Sequence, residues 1–87
     1  MKVSNMTGHS GREVANQFII YGDDFTAFQS YNSVIVKRCA GKIYLDKETW
    51  DYSSTTGKYR NLFLGETKAE TERKIKSGQY ILTDLNS

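Results

Sequence analysis

Hydrophobic and polar residues alternate over much of the first half of the chain, which is typical of β-strands. A β-branched and aromatic run extends from Val14 to Tyr21, and alternation resumes from Phe25 to Tyr31 after the turn residues Gly22-Asp23-Asp24. A third strand is predicted at Val34–Arg38 and a fourth at Ile43–Leu45. The pattern predicts an antiparallel meander of four strands.

The second half changes to a helical pattern. Thr67 and Glu70 have the spacing of a capping box, in which the side chain of each accepts from a free backbone N–H of the first turn. A helix is therefore predicted over about 68–77, and Gly78 supplies its stop. Because Ala69 and Ile75 are its main apolar residues, we expect this helix to lie on the surface. A last strand is predicted over Gln79–Leu82.

The segment over about 58–64 is predicted to be a short helix or an irregular stretch. Tyr59, Leu62 and Phe63 would share its apolar side, and Gly65 would close it. Together these elements predict an α+β fold: an antiparallel sheet of four to five strands with one clear surface helix and this shorter segment.

Residues 1–12 mix Ser, Thr, Asn and Gly with few large apolar side chains, so we expect a flexible N-terminal tail. Residues 13–85 are predicted to form a single α+β domain. A chain of 87 residues is too short for a second hydrophobic core.

The inventory of reactive side chains is small. The chain has one histidine, His9 in the predicted tail, and one cysteine, Cys39. We therefore expect no catalytic residues, no metal site and no cofactor, and predict that the protein is not an enzyme. No apolar run approaches the length of a membrane span, and no hydrophobic segment follows Lys2. A cytoplasmic protein without a membrane partner is the resulting expectation.

Aromatic and basic residues are the feature that points to binding. The chain has one Trp, six Tyr and four Phe, more than a core of this size needs, while its net charge is only +2. No acid lies between Asp24 and Asp46, nor between Asp51 and Glu66. The candidate binding residues carry a ring or a positive charge and lie in or beside these stretches: Trp50, Tyr52, Lys58, Tyr59, Arg60, Tyr31, Lys37 and Arg38.

Residues 50–61 are the strongest of these candidates, because they combine rings, cations and hydroxyl groups in a stretch too polar for a core element. Trp50, Tyr52, Tyr59 and Arg60 are the predicted anchors. The competing interpretation is an ordered loop. Trp50 and Tyr52 would then act as plugs, with their rings packed into the protein, and Asp51 and Ser53 would cap the next helix.

Four stretches of the chain carry a resemblance to a known family. They are Gly11–Phe18, Phe28–Ser33, Trp50–Arg60 and Phe63–Gly65. In these stretches, and from about Gly11 to Asn86 as a whole, the chain resembles a family of small uncharacterised proteins encoded by phages and prophages. The resemblance implies a phage-type protein in a bacterial host cytoplasm, where small domains of this kind include anti-CRISPR and other anti-defence inhibitors.

The leading hypothesis is a non-enzymatic binding protein of phage type that inhibits a host defence or nucleic-acid-processing complex by protein–protein contact. The partner would be a host or phage protein complex. The alternative is a small single-stranded nucleic-acid-binding protein that uses aromatic stacking and Lys/Arg contacts. A third hypothesis is self-association through a sheet edge, since the chain has no proline to protect one.

Overall fold

A computed structural model describes residues 1–8 and 10–86. The strands are β1 (Lys2–Thr7), β2 (Glu13–Tyr21), β3 (Phe25–Ser30), β4 (Ser33–Cys39), β5 (Lys42–Asp46) and β6 (Tyr80–Thr83), and the helices between β5 and β6 are α1 (Ser54–Leu64) and α2 (Lys68–Lys76). The strands form one sheet in chain order, antiparallel from β1 to β5, with β6 added parallel to β5. The predicted α+β class is confirmed, with a mixed sheet of six strands.

The N-terminal residues differ most from the prediction. Residues 1–12 were expected to be a flexible tail, but β1 pairs antiparallel with β2 in a register that places Val3 opposite Ile20. The side chain of Met6 is 7% exposed and belongs to the hydrophobic core. A strand forms here because one core side chain and the free edge of β2 offset the polarity of the other residues. His9, also assigned to the tail, lies outside the described residues.

Local sequence signals account for the helix ends. The Ser53 side chain accepts from the backbone N–H of Thr56 at the start of α1, and Gly65 ends that helix in the left-handed conformation at φ 70°. The helix thus begins four residues before the predicted segment 58–64. The Thr67–Glu70 capping box of α2 is present with both of its bonds, as predicted.

Both helices pack on one face of the sheet, which we call the helix-side face. Phe63 of α1 stacks on Phe28 of β3 with ring centroids 6.0 Å apart. Lys74 of α2 lies over the ring of Tyr80 of β6. The core between the layers contains these buried side chains: Met6, Phe28, Ile35, Val36, Leu45, Tyr59 and Tyr80. The opposite side of the sheet is called the open face below.

Glu66, in the link between the helices, ties that link to α2 and to the sheet. Its carboxylate accepts hydrogen bonds from Thr71 Oγ1 (2.6 Å), Lys74 Nζ (2.6 Å) and Tyr80 Oη (2.7 Å). Burial raises the pKa of Glu66, but these hydrogen bonds and the charge of Lys74 outweigh burial and hold it below its ordinary value.

The lowered pKa of Glu66 predicts an acid-sensitive contribution to stability. The contribution is fully present above the pKa of the unfolded chain and is lost as the pH falls through the lower folded pKa. We expect Glu66→Gln to reduce the loss of stability between about pH 5 and pH 2, measured by urea unfolding at a series of pH values. Part of the pH dependence of stability should remain in Glu66→Gln, because the pKa values of Asp46 and Asp51 are also lowered.

The matched control for this series is Glu72→Gln, which alters an exposed carboxylate of α2. Its acid profile should match that of the wild type. An unchanged profile for Glu66→Gln would show that the carboxylate contributes nothing beyond packing.

Candidate binding surface

Arg60 is the predicted anchor whose position in the structure differs most from the expected one. Its side chain is 1% exposed, so it cannot contact a partner as proposed from the sequence. Nη1 donates to the carbonyl oxygen of Trp50 (2.7 Å) and to Asp51 Oδ1 (3.2 Å). Nη2 donates to Asn61 Oδ1 (3.0 Å), and the guanidinium lies 5.2 Å from the Trp50 ring. Arg60 therefore fixes the turn before α1 onto the helix.

Asp51 extends this network to the second helix. Its two carboxylate oxygens bind different partners, Arg60 Nη1 at 3.2 Å and Lys68 Nζ at 2.7 Å. Burial raises the pKa of Asp51, but the hydrogen bonds and charges of Lys68 and Arg60 hold it below its ordinary value. The carboxylate thus joins the turn, α1 and the start of α2.

Two of the predicted aromatic anchors belong to the core. Tyr59 is 7% exposed, and Trp50 is half-buried against the same cluster. The competing interpretation of an ordered loop is right for Trp50 as a plug and for Ser53 as a cap. It is wrong for Tyr52, whose side chain is 50% exposed. Asp51 was also expected to cap the helix, but it binds Arg60 and Lys68.

The exposed side chains of residues 50–61 line a groove between the N-terminal half of α1 and the link to α2. The groove has a volume of about 980 Å³. Tyr52 and Leu62 supply its exposed apolar groups, at 50% and 51% exposure, and Lys58 is an exposed cation of the lining. We call Tyr52, Lys58 and Leu62 the groove triad.

Leu62 is the member of the groove triad that the sequence placed wrongly. It was grouped with Tyr59 and Phe63 on the apolar side of a segment over about 58–64. The side chains of Ser54, Lys58 and Leu62 follow one another at four-residue spacing along α1, and all three line the groove. That spacing was the signal available in the sequence.

The groove carries charges of both signs. Lys58 and Lys68 line it together with Asp51 and Glu66. Mixed charge around exposed apolar groups is typical of protein contact surfaces, whereas a nucleic-acid groove is predominantly positive. Among residues 1–8 and 10–86, no group of three or more His, Cys, Asp or Glu side chains is placed to hold a metal ion.

The remaining predicted residues lie outside the groove. Tyr31 is 45% exposed in the turn between β3 and β4, where its φ is +55°. Neighbouring residues of β4 point to opposite faces: Arg38 lies 5.0 Å from the Phe63 ring on the helix-side face, and Lys37 lies 4.9 Å from the Phe25 ring on the open face. The predicted set therefore does not form one continuous surface.

The open face is a surface that was not predicted from the sequence. Cross-strand partners place six residues in one row on it: Val3, Ile20, Ala27, Lys37, Tyr44 and Ile81. Apart from Lys37, the row is apolar. Alternation along each strand was the available signal, but the assignment of alternate residues to a covered or an uncovered face depends on where the helices pack.

Fold and surfaces together define a small single-domain α+β protein with a mixed six-stranded sheet. The chain belongs to the family of unknown function DUF8033, whose model matches residues 1–79. No curated protein and no solved structure matches the chain. Among the described residues, neither helix is long and apolar enough to cross a membrane.

Proposed function

We propose that this protein is a non-enzymatic binding protein that contacts a partner protein through the groove beside α1. The observation that carries the proposal is the groove triad, in which two apolar side chains, each about half exposed, lie in one groove with an exposed lysine. Exposed apolar groups that lie together in one groove are typical of a contact site, whereas single ones scattered over a surface are common. Tyr is among the residues that most often dominate the energy of such contacts.

The rigidity of the turn supports the same role. Tyr52 follows Asp51, which is held by Arg60 and Lys68, and precedes Ser53, which caps α1. A side chain presented from a fixed backbone loses less conformational entropy on binding than one on a mobile loop. The buried members of the predicted segment therefore serve the binding role indirectly, by positioning Tyr52.

The identity of the partner is a proposal that rests on the resemblance of the four stretches named above. It assigns the protein to a phage-type context in a bacterial cytoplasm, with a host or phage protein complex as its partner. An inhibitor of a host defence or nucleic-acid-processing complex, in the manner of an anti-CRISPR protein, is the role that fits this context.

Single-stranded nucleic acid is the second candidate for the groove, and one observation favours it: the exposed ring of Tyr52 shares the groove with Lys58 and Lys68. The carboxylate of Asp51 in the same groove opposes it. This candidate predicts micromolar, salt-sensitive binding in a titration of fluorescent single-stranded DNA and RNA. Absence of binding at low salt would eliminate it.

Capture of a partner from a bacterial lysate tests the leading proposal. We expect immobilised wild type to retain a specific protein that Tyr52→Ala/Leu62→Gln loses, with at least a tenfold drop in captured amount, because both apolar groups of the triad are removed. Tyr21→Thr is the matched control, since it removes a tyrosine that is 44% exposed elsewhere on the surface.

Circular dichroism must show all three proteins folded. Two outcomes would refute this site. One is equal capture by wild type and the double variant, and the other is equal loss in the Tyr21→Thr control.

A further inference from the structure

The two carboxylates that line the groove are already paired with cations of the same chain. The side chain of Glu66 is 4% exposed, and its carboxylate binds Lys74 at 2.6 Å. Each carboxylate oxygen of Asp51 binds a separate cation, Arg60 Nη1 or Lys68 Nζ. Both acids belong to the lining, but their negative charge is compensated from within the chain.

Lys58 differs from the other cations of the groove. In the part of the chain that the structure describes, Arg60, Lys68 and Lys74 form ion pairs, and Lys58 is in none of them. Its ammonium lies at an exposed position, 5.4 Å from the centroid of the Tyr59 ring. The lining holds three cations and two carboxylates, so its surplus positive charge is that of Lys58.

Lys58 also lies between the two exposed apolar groups of the groove triad. Along α1 it precedes Leu62 by four residues, a rise of about 6 Å, and it follows the turn that carries Tyr52. The positively polarised N-terminal end of α1 lies beside the same groove and has no acidic residue in its first turn. The triad therefore places a cation between an aromatic and an aliphatic group, in a positive field.

We propose that the partner places an acidic segment in the groove, with an Asp or Glu carboxylate on Lys58 and apolar side chains against Tyr52 and Leu62. The segment belongs to the partner protein already proposed for the groove, so this assignment rests on the proposed function. A carboxylate with apolar neighbours complements a cation between apolar groups. Contact between those neighbours excludes water, and exclusion of water strengthens the ion pair.

Single-stranded nucleic acid fits the same groove less well. Its phosphates recur at every nucleotide and are bound by several cations along the strand, whereas Lys58 is the one lining cation outside the ion pairs of the described residues. Its bases stack on successive aromatic rings, and Leu62 offers no ring. One carboxylate between two apolar side chains contacts all three members of the triad.

Zero-length crosslinking of the complex tests this contact. A water-soluble carbodiimide joins a lysine amine to a carboxylate in direct contact, and the carbodiimide takes up the water that is lost. Peptide mapping should find Lys58 linked to an Asp or Glu of the protein captured from a bacterial lysate. Lys58→Arg keeps the positive charge but has no primary amine, so the link should disappear while most of the capture is retained.

Charge reversal supplies the quantitative readout. Lys58→Glu should lower the captured amount by at least about tenfold, because it brings like charges into contact. Replacement of the mapped acid of the partner by lysine should restore capture by Lys58→Glu. The matched control is Lys42→Glu, the same reversal at an exposed position of β5 outside the groove lining, which should capture like wild type. Circular dichroism must show each variant folded.

The two proposals fail in distinguishable ways. If wild type captures no specific protein, the proposed function fails and the acidic segment fails with it. Capture that is lost in Tyr52→Ala/Leu62→Gln but unchanged in Lys58→Glu keeps the groove as a contact site and overturns the acidic segment. Loss of capture in Lys58→Glu without any link to Lys58 in wild type also overturns it. Capture that nuclease treatment of the lysate abolishes would assign the groove to nucleic acid instead.

Discussion

Arg60→Met is expected to lower the free energy of unfolding by about 3–5 kcal/mol. The substitution leaves the Trp50 carbonyl without its buried donor and removes one of the two cations bound to Asp51. For a domain of this size the midpoint of thermal unfolding should fall by about 12–25 °C. Methionine keeps much of the side-chain length, so the loss measures the hydrogen bonds and the charge rather than a cavity.

The matched control is Lys58→Met, which also replaces a basic side chain by methionine, at an exposed position of the same helix. Its effect on stability should stay within about 0.5 kcal/mol. An Arg60→Met protein as stable as wild type would contradict the structural role. If that stable protein also lost its partner, Arg60 would be the surface anchor that the sequence suggested.

Deletion of residues 2–8 is expected to lower the free energy of unfolding by more than about 3 kcal/mol, a large share of the ~5–15 kcal/mol of a small domain. The deletion removes β1 with its ladder to β2, and it takes the buried side chain of Met6 out of the core. A flexible tail, in contrast, could be removed without effect. Urea unfolding followed by circular dichroism distinguishes the two cases.

Met6→Ala in the full chain separates the two contributions of β1. It should account for about 2–3 kcal/mol of the loss, since it empties a core position and leaves the ladder intact. A deletion variant with wild-type stability would show that β1 is not part of the folded domain.

Elements defined by local chemistry were predictable from the sequence. The capping box of Thr67 and Glu70 involves residues three apart, and it marks the start of α2 correctly. Strands β2 to β5 follow from alternation and from the turns between them. β1 could not be predicted this way, because its stability comes from pairing with β2 and from one core side chain, Met6, among polar neighbours.

The start of α1 shows a different limit. Four consecutive hydroxyl residues, Ser53 to Thr56, are each acceptable N-caps, so composition alone does not select one. Tertiary contacts select Ser53: the Thr56 hydroxyl is buried and hydrogen-bonds Ser30 Oγ at 2.9 Å. A helix that began later would leave that contact unmade.

The structure separates the predicted binding residues into buried and exposed ones, which the sequence did not do. The aromatic and basic residues between residues 50 and 61 suggested a binding surface. Residue types alone, however, do not show which of these side chains face water and which face the core. The buried Arg60 guanidinium donates from Nη1 to Asp51 and to the Trp50 carbonyl oxygen, and both partners depend on the turn geometry before α1. Tyr52 and Lys58 remain exposed. Leu62 lines the same groove, because it lies four residues after Lys58 on the same side of α1.

Hydrogen–deuterium exchange of the wild type, alone and with its captured partner, tests the central claim most directly. The claim is that the buried members of the segment hold the turn while the groove triad makes the contact. We expect slower exchange on binding at the amides around Tyr52 and along the exposed side of α1, from Lys58 to Leu62. Protection confined to the open face or to β1, with exchange around Tyr52 unchanged, would contradict it.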